Sequence, residues 1–177
     1  MDFKAALEQG HSKEIAIQIA HSLIAEPEQL EAYLTFLSKE PIIAQRASWP
    51  LATITDEAQE LLEPFQKELL DAAERNLHPA VSRNILRYFQ FAPIRDESVQ
   101  EKLLDVAFRQ MESPTIPVAI RVFAMQAIEQ NTKTVPELRQ ALADSIALRI
   151  EEEKPGFKSR GKKILKALEK EHIFPSV

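Results

Sequence analysis

Prolines stand at positions 41, 79, 117 and 155, each 38 residues after the last. A helical apolar run precedes each proline, and a second run follows it with an arginine four or five residues in. A fixed period of this length with two helices per period marks repeats that stack because none can bury its apolar face alone. The predicted fold is therefore all-α, a solenoid of four helical pairs behind N-terminal capping helices. The predicted boundaries are 1–26 for the cap, 27–171 for the four repeats, which form one domain with it, and 172–177 for a C-terminal tail.

With the prolines as column zero, the second column holds Ile43, Val81, Ala119 and Phe157, the sixth Ala47, Ile85, Phe123 and Gly161, and the tenth Leu51, Phe89, Ala127 and Leu165. Steps of four put these columns on one helical stripe, so each segment after a proline is predicted to bury that face. Proline is expected in the first turn, where its missing N–H had no partner anyway. Ile85, Phe89, Phe123 and Leu165 are the predicted buried layer. Leu30, Leu34 and Leu37 mark the first partner helix, and Leu62, Leu69 and Leu70 the second, which Pro64 should kink or split. Asp56 with Gln59, and Thr134 with Glu137, have the spacing of capping boxes, and Asp96 is expected to open the third partner helix. Ser12 is predicted to cap a helix over 13–25, and Gly10 to end a short one that begins near Phe3.

Composition removes several chemistries. With no cysteine there is no disulfide, thiol nucleophile or thiolate metal site. Glycines occur only at 10, 156 and 161, too few and too scattered for a phosphate-cradling loop. The four histidines (His11, His21, His78 and His172) are dispersed, and His78, before Pro79, is expected to act locally. No catalytic residue, metal or cofactor is predicted, and the chain is read as a non-enzyme. It has no run of about 18 apolar residues and no basic-then-apolar leader pattern, so the expectation is a cytoplasmic protein without membrane contact.

Charge is unevenly distributed. Residues 154–177 hold seven Lys/Arg against two acidic residues, a net of +5, whereas 1–153 hold 15 basic and 25 acidic residues, a net of −10. Lys158, Lys162, Lys166 and Lys170 recur at four-residue steps and read either as a solvated face or as a contact for phosphate or an acidic partner. Positions four, five and eight after the prolines gather Arg46, Trp49, Arg83, Arg87, Arg121, Arg160 and Lys163, six cations and the sole tryptophan with no acidic residue. Arginine and tryptophan recur at binding hot spots. Two uses are open to these cations: binding an external anion, or tying neighbouring repeats together.

The second-helix openings His78-Pro79-Ala80-Val81-Ser82-Arg83 and Ile116-Pro117-Val118-Ala119-Ile120-Arg121 resemble those of HEAT and HEAT-like repeats, over about residues 27–171. The resemblance implies a right-handed α-α superhelix whose second helices line a concave surface. Gly10-His11-Ser12-Lys13-Glu14, Gln45-Arg46-Ala47-Ser48-Trp49, Arg83-Asn84-Ile85-Leu86-Arg87 and Phe157-Lys158-Ser159-Arg160 look like segments of a family of small bacterial HEAT-like proteins. Some of its members carry the name adenylosuccinate lyase. That enzyme family is far longer and uses a Gly/Ser-rich loop with no counterpart here. The predicted function is a protein–protein interaction scaffold, with the basic strip at Arg46, Trp49, Arg83, Arg87, Arg121, Arg160 and Lys163 receiving an acidic peptide or protein. The alternative is nucleic-acid binding, as in HEAT-like DNA glycosylases, whose strongly basic face and aromatic-plus-Asp site have no match beside Trp49.

Overall fold

The computed structural model describes residues 1–173, which contain no strand. The predicted tail, apart from the backbone of 172 and 173, lies outside the described residues. The chain forms two compact units, Met1–Val106 and Ala107–Val177.

The first unit opens with α1 (Phe3–Gln9), capped by the Asp2 carboxylate accepting from the Ala5 N–H at 3.0 Å. Helix α2 (Lys13–Ala25) follows, capped as expected by Ser12, whose hydroxyl accepts from the Ile15 N–H at 3.2 Å. The first partner segment is a 3₁₀ turn (Pro27–Gln29), α3 (Leu30–Leu34) and another 3₁₀ turn (Thr35–Ser38), which bury Leu30, Tyr33, Leu34 and Leu37. Its second helix breaks in two, α4 (Pro41–Ser48) and α5 (Pro50–Glu57). Pro50 has no N–H to continue the ladder, and the Arg46 carbonyl accepts from Trp49 at 3.3 Å instead. The next pair is a 3₁₀ segment (Gln59–Phe65) containing Pro64, then α6 (Gln66–Arg75), then α7 (Pro79–Phe89). Pro64 thus splits its helix, as the sequence suggested. Helix α7 packs on α4, α5 and α6. Residues 97–106 of α8 (Glu97–Glu112) complete this unit, and Asp96 caps that helix by accepting from the Ser98 N–H at 2.8 Å.

Two expected capping boxes do not form. Asp56 lies inside α5 and binds Arg87, because the helix begun at Pro50 runs through it. Thr134 donates to the Asn131 carbonyl in a turn, and the next helix starts only at Leu138.

The second unit contains the rest of α8, α9 (Val118–Asn131), α10 (Leu138–Arg149) and α11 (Pro155–Ile173), with α9, α10 and α11 in mutual contact. Phe157, Ile164 and Leu168 are buried along α11. At Gly161 the helices approach so closely that a β-carbon would lie 2.9 Å from the Ile146 Cγ2 atom.

All four prolines sit at helix starts, but with a slip. Pro41 and Pro79 are first residues of their helices, whereas Pro117 is the cap outside α9. The buried face of α9 moves one residue accordingly, to Ile120, Ala124 and Ile128. This corrects the predicted layer: Ile85 and Phe89 are fully buried, while Phe123 and Leu165 are half-exposed.

The chain's two tyrosines are both buried in the first unit. The Tyr33 hydroxyl donates to the Ala47 carbonyl at 3.0 Å, and burial holds its proton affinity far above the ordinary value. Burial pushes Tyr88 up to about 12, despite the hydrogen bond from Gln66. Unfolded tyrosine titrates near 10. The neutral phenols therefore stabilise the fold fully below about pH 10, and that stability is lost as pH rises through the folded values. In an alkaline titration, tyrosinate absorbance is expected to appear together with loss of helical ellipticity. Tyrosinate forming near pH 10 with the helices intact would contradict this placement.

Candidate functional site

The side chains of the predicted strip stand on α4, α7, α9 and α11 and in two different units. In the first unit, Arg46 on α4 is half-buried and donates from Nη1 to the carbonyls of Leu7 and Glu8, at 2.7 and 3.2 Å. It thereby caps the C-terminal end of α1, where orphan carbonyls gather negative partial charge. One turn on, the Trp49 ring lies against the His11 ring, centroids 4.3 Å apart. On α7, Asn84 donates to the Ser48 carbonyl and hydroxyl at 2.9 and 3.1 Å. Arg87 donates to the Ala52 carbonyl at 2.9 Å and to the Asp56 carboxylate at 2.7 Å. Arg83, between them in sequence, is exposed and makes no hydrogen bond or ion pair among the described residues.

In the second unit, Arg121 is buried, with its side chain 5% exposed. Its Nε donates to the Met111 carbonyl at 2.7 Å, and both terminal nitrogens fork onto the Glu153 carboxylate. The guanidinium also lies 4.7 Å over the Phe157 ring. The helix slip at Pro117 explains the burial. Counted from the first helical residue, Arg121 stands where Ser82 stands in α7, on the inner side. Arg160 is half-buried and Lys163 exposed, neither with a partner among the described residues.

The six cations therefore divide. Arg46, Arg87 and Arg121 spend their donors inside the protein, and Arg83, Arg160 and Lys163 do not. The internal ties reach about one repeat along the chain: Arg46 to Leu7 spans 39 residues, Asn84 to Ser48 36, and Arg87 to Ala52 35.

The sequence reading passed over His11, which lies one 38-residue period before Trp49; that offset was the available signal. Partial burial, then the charge of Arg46, then that of His78, lower its proton affinity below the ordinary histidine value. His78 acts locally, as expected, its Nδ1 accepting from the Ala80 N–H at 3.1 Å to cap α7. The first unit as a whole is acidic, with 10 Lys/Arg against 18 Asp/Glu, a net of −8. Both charged groups that act on His11 are thus of basic type, within a unit of net negative charge. No group of three or more His, Cys, Asp or Glu among the described residues is arranged to hold a metal. No described helix is long and apolar enough to cross a membrane.

Paired helices at a 38-residue period, with side chains in the first unit tying one layer to the next, define an α-helical repeat protein. A family model for the HEAT repeat domain matches residues 3–168, and the chain belongs to that family. Its repeats generally serve as protein–protein interaction scaffolds and are typically non-enzymatic. No curated protein and no solved structure matches the chain.

Proposed function

We propose that the chain is a non-catalytic interaction scaffold, and that its first unit receives an acidic segment of a partner protein at the corner of His11, Arg46, Trp49, His78 and Arg83. The carrying observation is the sign of local charge. Beyond burial, the groups acting on His11 are Arg46 and His78, both of cationic type, in a unit of net charge −8. Arg83, in the second turn of the helix that His78 caps, adds an exposed guanidinium with no internal counter-charge. Trp49 and His11 supply an aromatic wall, and the Arg83 fork suits a carboxylate. Arg87 and Arg121, paired to carboxylates, act as struts in this reading, whereas Arg46 bonds only backbone carbonyls and keeps its charge unneutralised by a carboxylate. Arg160 and Lys163 form a separate basic set on the second unit.

The test is a titration with a glutamate-rich peptide, followed by Trp49 fluorescence at about pH 8 and about pH 5.5, where peptide carboxylates remain ionised. Binding is expected to tighten on the acid side, because protonating His11 adds a positive charge and a bound anion raises its proton affinity. It should weaken with salt and be lost in Arg83→Glu, with the helical melt unchanged. Undiminished binding by Arg83→Glu, or no pH dependence, would refute the assignment. Tighter capture of duplex DNA than of peptide would put the nucleic-acid reading in its place.

A further inference from the structure

Helix α11 has two chemically opposite sides. Phe157, Gly161, Ile164 and Leu168 are buried. With about 100° of rotation per residue, Lys162, Lys163, Lys166 and Lys170 fall on the far side, and all four are exposed. From Lys162 to Lys170 the axis advances only about 12 Å. None of the four makes an ion pair among the described residues. The second unit contains 12 Lys/Arg against 9 Asp/Glu, a net of +3, and the four lysines outnumber Glu169, the exposed carboxylate beside them, so positive charge is in excess here.

We infer that this lysine face docks on the acidic first unit of a second copy of the chain. The receiving surface centres on Glu31 and Glu68, exposed carboxylates that line one hollow of the first unit together with Asp71, Lys39 and Arg75 and make no ion pair among the described residues. Charge complementarity selects this occupant, +3 against −8 in a chain present at its own concentration. The chemistry of the face disfavours the others. Among the described side chains it presents no apolar group to enter a bilayer. It has no aromatic ring to stack a base and no guanidinium fork to read one. Contacts made by exposed charges are individually weak and screened by salt, so the assembly is reversible.

Sedimentation velocity of the full chain over a concentration series tests this, independently of the Arg83 corner. At low salt the average mass is expected to rise with concentration, and at high salt to return to that of the monomer. Lys162→Glu with Lys166→Glu should remain monomeric at low salt, with unchanged ellipticity. Glu31→Lys with Glu68→Lys should do the same. Mixing the two variants should restore association, because each supplies the charge the other has lost. A monomer at low salt and the highest concentration would overturn the inference. So would association that survives the α11 substitutions, or a mixture that stays monomeric.

Discussion

Arg121→Ala is expected to destabilise the second unit by about 3–5 kcal/mol, the usual cost of removing one partner from a buried ion pair. The side chains of Arg121 and Glu153 are only 5% and 13% exposed, so the carboxylate left behind keeps little access to water. The Met111 carbonyl loses its donor as well, and the Phe157 ring its overlying cation. Glu153→Gln should cost less, since an amide oxygen still accepts from the guanidinium. The double variant should cost less than the sum, because the two side chains act as one unit. Urea melts followed by ellipticity measure all three. A loss below about 1 kcal/mol for Arg121→Ala would mean that the pair is solvated and exchanges freely.

The second large effect is expected at Phe89. Phe89→Ala should cost about 3–5 kcal/mol through lost transfer free energy and the cavity left behind. The ring is fully buried, meets Tyr88 edge-on with centroids 5.0 Å apart, and belongs to α7, which touches three other helices. Phe89→Leu keeps most of the volume and should cost less than about 1.5 kcal/mol. Trp49, the sole tryptophan, reports on the same unit by fluorescence. An alanine variant that melts like the parent would show that the site collapses without a cavity.

The repeat and its apolar stripe were legible because helical periodicity and proline both act locally. The proline fixes φ and removes a donor, and the stripe follows from 3.6 residues per turn. The sequence could not tell whether a proline stands inside or just outside its helix. That single residue turned Arg121 inward and left Phe123 half-exposed. The failed boxes at Asp56 and Thr134 have a similar cause, since the spacing is meaningful only if a helix begins there. For the candidate site, the sequence located the arginines but not their uses. Leu7, Ala52 and Met111 accept through backbone carbonyls, and a carbonyl leaves no trace in residue type.

That last feature makes the junctions between layers lopsided under mutation. Where the receiver is a carbonyl, any residue that keeps the helix in place offers the same group, so Leu7 and Ala52 can change without loosening the bond itself. On the giving side, only a long planar cation reaches, and lysine lacks the fork that lets Arg87 hold a carbonyl and a carboxylate at once. Drift is therefore tolerated at the carbonyl edge of these junctions and barred at the guanidinium edge, while Asp56 and Glu153, which receive through side chains, are as constrained as the arginines they hold.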